Sequence, residues 1–329
     1  MVTICVDAVG GDEPAEVVLQ GIAAALAEDS DLCVLVAGPA EVVEPFCAEH
    51  DRATALVASE VIGMDEHPTE AVRKKKDSSI VRGCEAVRKG AADGFFSAGS
   101  TGAIFAAAAQ GVGRIKGIKR PALASAVPAT TGGKTVFMDM GANADARPEM
   151  IVQFAQMGRA YAHVVLGVAD PKVALLSNGE EETKGSAAVL EQHAALKEAG
   201  PWFVGNCEGT DVLEGRFDVI VSDGFTGNVA LKMLEGTAKF IMARAKQAAK
   251  SSKRAAIGAL LLKPALKAVA AELSGDEMGG AILIGLKAPV FIGHGATSVD
   301  AVKHGTLACA AAVRGDLCGK IAEEIVAAA

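Results

Sequence analysis

Apolar and polar positions along the chain fall into one repeated unit: a short aliphatic run, a polar loop rich in glycine, then apolar residues at helical spacing. The clearest copy is Phe217 to Lys232, FDVIVSDGFTGNVALK. Val219, Ile220 and Val221 form a continuous β-branched run, suited to a strand buried on both faces, and Leu231, Leu234, Ala238, Ile241 and Ala245 then recur with helical period. Four more copies share this grammar. ICVDAVGGDEP leads from Ile4 into a helix at Ala15 to Ala27, and GFFSAGSTGA leads from Phe95 into a helix at Ile104 to Gln110. TVFMDMGANADARPEM runs from Thr135 into a helix beginning near Pro148, and VALLSNGEEETKGSAAV from Val173 into a helix ending near Ala199. LCVLVAGP from Leu32 and ALVASEVIG from Ala55 add two strands, and Asp77, Ser78 and Ser79 cap a helix from Ile80 to Lys89. Strands alternating with helices predict an α/β fold on a mostly parallel sheet. In such a sheet ligands bind outside the carboxyl ends of the strands, so the five loops are expected to share one edge and converge on one cleft.

The loops point to an anion. Gly224 and Gly227 permit close backbone approach, Thr226 and Asn228 offer donors at a helix start, and the N–H groups exposed there favour negative charge, with phosphate the expected guest. The competing reading is a capped strand-to-helix turn with no ligand. Gly10 and Gly11 lie between Asp7, which ends a buried strand, and Asp12, which suits a helix N-terminus as a charged cap.

Half of the 329 residues are hydrophobic, enough for a large core, and one Trp and one Tyr against many small residues favour α/β packing. A formal net charge of −8 argues against general nucleic-acid binding. Two basic runs stand out, Arg73 to Lys76 and Arg114, Lys116, Lys119, Arg120; a charge run is usually a solvated face. Seven cysteines without a C-x-x-C pair suit a reducing compartment, and no basic n-region precedes the first strand, so a cytoplasmic protein is expected. GGKT at Gly132 to Thr135 imitates the end of a P-loop, but Pro128 stands where its first glycine would fall, and Gly111 and Gly113 lack the third dinucleotide glycine. Neither NAD nor ATP is indicated, no motif requires a metal, and no cofactor is expected. No G-x-S-x-G elbow or H-E-x-x-H occurs, so covalent serine or zinc chemistry has no support.

Seven motifs in order then resemble the PlsX family of phosphate acyltransferases: DAVGGD at 7–12, KKKDSS at 74–79, SAGSTGA at 97–103, DMGAN at 139–143, NGEEETKG at 178–185, SDGFTGNVALK at 222–232 and GHGATS at 293–298. The likeness covers nearly the whole chain. Val9, Ser100, Ser177 and Asn178 depart from the family's usual residues and leave the charged and glycine positions intact. The resemblance implies a three-layer α/β/α fold like isocitrate and isopropylmalate dehydrogenases, with a mostly parallel sheet and two lobes around a cleft. Residues 1–115 with 280–329 would form the first lobe, 116–239 the second, and 240–279 a projecting helical hairpin, the whole assembling as a homodimer.

It also implies formation of long-chain acyl phosphate from acyl carrier protein thioesters and inorganic phosphate, for phospholipid synthesis. Phosphate would attack the thioester directly, leaving the protein to position it and to stabilise the oxyanion. Lys184 is then the expected cation, Asn228 an oxyanion donor and Asp223 an orienting acid; the group that protonates the thiolate is left open, with His294 a candidate. Substrate contacts are expected from Asp7, Gly10, Gly11, Asp12, Ser97, Ser100, Thr101, Asp139, Asn143, Gly224, Thr226, Gly227 and Lys232. Acyl carrier protein, being acidic, would meet a local basic patch at Arg114 to Arg120 or Lys250 to Arg254.

Family members are peripheral membrane proteins that feed a membrane glycerol-phosphate acyltransferase. Here Ile257, Leu260, Leu261 and Leu262, flanked by Lys250, Lys253, Arg254, Lys263 and Lys267, form an apolar cluster too short to span a bilayer, which would bind an anionic surface or pack on the dimer partner. Competing functions are a phosphotransacetylase-like transfer between coenzyme A and phosphate, a non-catalytic membrane-surface organiser of lipid synthesis, and a nicotinamide-dependent dehydrogenase, disfavoured by its missing fingerprint.

Overall fold

The structure is a computed structural model that describes residues 1–274 and 279–327, without the side chains of residues 267, 268, 270–274 and 327. Lys267, placed beside the apolar cluster above, is therefore outside the described side chains.

Among the described residues the strands form one sheet. Its first half holds β1 (Val2–Asp7), β2 (Leu32–Gly38), β3 (Ala53–Val57) and β4 (Gly94–Ser97), joined by β10 (Ala281–Ile284) and β11 (Val290–Ile292) from late in the chain. The second half holds β5 (Ala122–Pro128), β6 (Lys134–Met138), β7 (Val173–Leu176), β8 (Phe203–Cys207) and β9 (Val219–Val221). The order across the sheet is β3-β2-β1-β4-β11-β10-β5-β6-β9-β7-β8.

Strand residues alternate between two cores, one per face. Ile4, Val6, Val34, Val36, Phe96, Val136, Met138, Val219 and Val221 face one core; Cys5, Leu35, Ala37, Phe95, Phe137 and Ile220 face the other. Helices α1 (Ala15–Glu28), α6 (Pro148–Leu166), α10 (Val299–Arg314) and α11 (Leu317–Ala327) cover the first face. The short helices α3 (Pro68–Lys74), α4 (Ser79–Arg88) and α5 (Thr101–Gly111) cover part of the second. Both faces being buried is why the strands read as continuous apolar runs. Phe95 and Phe96 are fully buried back to back, one in each core, where truncation to Ala typically costs about 3–5 kcal/mol. Helices α2 (Ala40–Glu49) and α7 (Ala187–Ala199) complete the crossovers.

The expectation that five loops leave one edge needs correction. Strands β1 to β4 and β11 are mutually parallel, as are β6, β7, β8 and β9, but three antiparallel pairings separate the sets: β11 with β10, β10 with β5, and β5 with β6. The two halves therefore run in opposite directions. The apolar runs of β5 and β10 carry no sign of direction, so periodicity could not reveal this. Convergence is achieved by offset instead. One cross-strand row joins Phe96, Phe291, Ile282, Ala124, Met138 and Val221. It lies one residue before the carboxyl ends of β4 and β11 and at the carboxyl ends of β6 and β9, so opposed strands release their loops at the middle of the sheet.

Helices α8 (Gly224–Ala249) and α9 (Lys253–Ser274) pack on each other as a hairpin; residues 275–278 of the expected 240–279 span lie outside the described residues. Only Gly224 and Gly227 of α8 are buried. Phe240, Ile241, Ile257, Leu260, Leu261 and Leu262 are exposed, Leu261 by 78%. No helix of the described residues is long and apolar enough to cross a membrane.

Candidate active site

A cavity of about 510 Å³ opens where the two halves of the sheet release their loops. Asp12, Gly99, Thr101, Gly293, His294 and Gly295 line it from the first half; Ser125, Met140 and Gly141 from the second; Asn228, Leu231, Lys232, Leu234 and Glu235 from α8. Of the residues expected from sequence, Asp12, Thr101, Asn228, Lys232 and His294 meet here.

The wall on the first side is built around Asp7. Its buried carboxylate accepts the Ser97 hydroxyl at 2.8 Å and the Val9 N–H at 3.2 Å, and the Ser97 oxygen accepts the Gly99 N–H at 3.0 Å. Burial pushes the Asp7 carboxyl up, opposed by its bonds from Ser97, Ser79, Val9 and Gly10. A Cβ on Gly10 would collide with this carboxylate, which explains that glycine by packing rather than by ligand approach. Asp7, Gly10 and Ser97 thus shape the loop from behind. Gly11 takes a positive φ of 99°, and the Asp12 N–H then reaches the Gly295 carbonyl at 2.8 Å, tying the β1 loop to the β11 loop. Within that second loop the Ala296 N–H donates to His294 Nδ1 at 3.3 Å. A neutral His294 consequently carries its proton on Nε2.

Helix α5 begins at Thr101 with Ser100 at the N-cap and no side-chain cap. Gly99 and Thr101, at this end of the helix, line the cavity, and Thr101 is exposed while Ser100 is buried. A helix start leaves N–H groups without intrahelical partners and a partial positive charge, which is the physical requirement for an anion site.

The α8 start, expected to be such a site, is occupied by the protein itself. The Asp223 carboxylate accepts the Thr226 N–H at 2.7 Å and the Thr226 hydroxyl at 2.9 Å, so Asp223 is a helix cap. The Gly224 N–H donates to the Asn143 carbonyl at 2.7 Å and the Gly227 N–H to the Asp223 carbonyl at 2.9 Å. A Cβ at Gly224 would press on the Asn143 backbone, and one at Gly227 would overlap the Asp139 carbonyl. These glycines let α8 dock on the β6 loop. Gly224, Thr226 and Gly227 are corrected from ligand contacts to packing and capping, while Asp223, expected as an orienting acid, orients the Thr226 donors.

Asp139 and Asn143 have the same inward role and do not line the cavity. Asp139 Oδ1 accepts the N–H groups of Leu123, Gly141 and Ala142, and Oδ2 accepts both the N–H and the side-chain amide of Asn143. Burial pushes the Asp139 carboxyl up, against the pull of these donors. Asn143 also donates to the Pro121 carbonyl and accepts from Arg120 Nε at 2.9 Å. The network holds Met140 and Gly141 at the cavity wall. Gly141 has φ of 137°, and a Cβ there would lie 3.5 Å from the Asn228 side chain.

Lys184 is exposed on the loop after β7, beside Gly179, and is not among the residues lining the cavity. Two strands lie between β7 and β5 in the sheet order, β9 and β6, which sets that loop apart from the central cavity. Lys232 is the lysine of the cavity wall, and its ammonium pairs with Glu235 at 2.9 Å. Ser125, Met140, Gly141, Leu231 and Leu234 were missed from sequence as site residues. Ser125 left a signal, a lone hydroxyl inside the run ALASAV, and Met140 and Gly141 lie in the DMGAN loop; Leu231 and Leu234 read as ordinary helix-face apolar positions. No cysteine lines the cavity, and burial pushes the thiols of Cys5, Cys84, Cys207, Cys309 and Cys318 up, the last to about 12. Among the described residues no cluster of three or more His, Cys, Asp or Glu could hold a metal.

Residues 2–320 match the family model described as fatty acid synthesis protein. A phosphate acyltransferase of Geobacillus thermodenitrificans is 43% identical over 322 residues, 98% of each chain. One of Heliobacterium modesticaldum is 44% identical over 328 residues, 98% of this chain and 97% of its own. Among solved structures, a phosphotransacetylase from Streptococcus pyogenes superposes with a TM-score of 0.61 at 19% identity, covering 95% of this chain and 94% of that one. A 4-hydroxythreonine-4-phosphate dehydrogenase from Klebsiella pneumoniae gives 0.52 at 14% identity, covering 94% and 99%. These two likenesses show the fold, one that serves both acyl transfer and dehydrogenation. The near-complete relatives show more: this chain belongs to the phosphate acyltransferase (PlsX) family and is a transferase.

Proposed function

We propose that the chain transfers a long acyl group from acyl carrier protein to inorganic phosphate, for phospholipid synthesis. The observation that carries this reading is the uncapped start of α5 at the cleft, with Lys232, Asn228 and His294 lining the same cavity. Phosphate sits against the first turn of α5 and the Thr101 hydroxyl, with the Lys232 ammonium exchanging Glu235 for the anion. A phosphate oxygen attacks the thioester carbonyl carbon; the carbonyl electrons move onto oxygen, where the Asn228 amide donates to the oxyanion. The oxyanion collapses, the carbon–sulfur bond breaks, and the leaving sulfur accepts a hydrogen bond from the Nε2–H of His294 and takes up the proton that the attacking hydrogen phosphate gives up. Holding two reactants together and stabilising one developing charge supplies the rate without a covalent intermediate.

The exposed basic residues Arg114, Lys116, Lys119 and Arg120 receive the acidic carrier protein. The apolar row along α8 and α9 supports a homodimer. The Ile257 to Leu262 tip, with Lys253, Arg254 and Lys263 beside it, supports peripheral attachment to anionic membrane from the cytoplasm, near the acyltransferase that consumes the product.

The phosphotransacetylase fold favours one competing donor, acyl-coenzyme A. Initial rates at fixed phosphate with hexadecanoyl carrier protein and with hexadecanoyl-coenzyme A, both read as hydroxylamine-trapped hydroxamate, decide between them. The carrier protein thioester is expected to give the higher kcat/KM, and a higher value for coenzyme A would overturn the choice of donor.

A further inference from the structure

A second cavity, of about 330 Å³, adjoins the cleft. Leu231 and Leu234 line both. Its base is Phe137 of β6, one wall is the 3-10 turn Gly209–Leu213 with Val212 and Leu213, and the other is α8. None of its lining side chains carries a charge, whereas the cleft beside it holds Asp12, Lys232, Glu235 and His294. Met233 and Thr237, one turn apart on α8, stand at its outer side; both are exposed, Met233 by 65%.

We propose that this groove holds the fatty acyl chain while the thioester carbon lies in the cleft, with Leu231 and Leu234 marking the passage between head and tail. The inference rests on the reading that acyl transfer takes place in the cleft. A ligand with a polar reacting end and a long hydrocarbon tail needs a polar chamber continuous with an uncharged one, and the two cavities share two leucine side chains. At about 30 Å³ per methylene, taken as the volume of a water molecule, the groove accommodates on the order of ten carbons. Each methylene moved from water into it should favour binding about fourfold. Preference is thus expected to climb from butanoyl to decanoyl and then level off.

Filling the groove from its exposed side tests this. Met233→Trp and Thr237→Trp are made at exposed positions, and butanoyl, decanoyl and hexadecanoyl carrier proteins are compared at saturating phosphate. The expected result is a loss of kcat/KM at least tenfold greater for decanoyl and hexadecanoyl than for butanoyl. An unchanged chain-length profile in both variants overturns the proposal, and so does an equal loss at every length with dissociation to monomers in sedimentation, which makes the groove a subunit interface. Should the wild type form no acyl phosphate at any length, the reading of the cleft fails instead. The groove is then judged by binding of a fluorescent fatty acid, with loss in Thr237→Trp supporting it and equal affinity refuting it.

Discussion

Replacing Asp139 probes how the cleft keeps its shape. The carboxylate is fully buried and accepts five hydrogen bonds at 2.8 to 3.2 Å, three on Oδ1 and two on Oδ2. A net hydrogen bond contributes about 1 kcal/mol, more when an acceptor is charged. Asp139→Ala removes all five, and after some relaxation the loss should be on the order of 4 kcal/mol. That is a large share of the roughly 5–15 kcal/mol that holds a typical domain. Asp139→Asn can keep the three bonds on Oδ1 but turns its NH₂ toward the Asn143 donors, so about half that loss is expected, roughly 2 kcal/mol. Urea unfolding of the three proteins should rank them wild type, Asn, Ala. Turnover should fall in the same order, on the order of a hundredfold for Ala, because the loop carrying Met140 and Gly141 shifts by about an ångström at the cavity wall. Wild-type unfolding in Asp139→Ala would refute the claim that these bonds hold the loop. Wild-type stability combined with lost turnover would mean the carboxylate acts on substrate directly.

Three further outcomes are expected. Lys232→Ala should raise the KM for phosphate at least tenfold while Lys184→Ala stays within twofold; the reverse order would restore Lys184 as the anion-binding cation. Changing Leu260, Leu261 and Leu262 together to Glu should abolish salt-sensitive binding to anionic vesicles, and a monomeric or unfolded product would place the cluster in the dimer interface instead. Burial holds the Asp7 carboxyl above its ordinary 3.8, so the folded protein binds that proton more tightly than the unfolded chain. The associated stability is complete below pH 3.8 and is lost as pH rises through the folded value. Asp7→Asn should therefore flatten the fall in stability across that window, and an equal slope in the two proteins would show that Asp7 is not the group responsible.

The strand, loop and helix of each repeated unit could be read from the chain because β-branched runs and helical spacing are local signals. Ala15–Glu28 and Ala187–Ala199 fall where periodicity places them. The direction of a strand is not local: β5 and β10 read like any buried run, and only their pairings reverse the sheet. Glycine and hydroxyl content likewise marked the loops without saying which N–H groups were already taken. Asp223 takes the Thr226 N–H at the start of α8, whereas Ser100 makes no such bond at the start of α5, and the letters Asp and Ser both read as good caps. The family resemblance points to Lys184 as the cation, yet sheet order sets its loop apart from the cavity that Lys232 lines.

The central claim is that phosphate itself takes the acyl group from the thioester. Mass spectrometry of a reaction of the chain with hexadecanoyl carrier protein, with and without phosphate, tests it most directly. The account predicts one acyl phosphate for each carrier thiol released, formed only with phosphate present, and an unmodified protein mass throughout. Acyl groups bound to the protein in the absence of phosphate, or carrier thiol released without acyl phosphate, would contradict it.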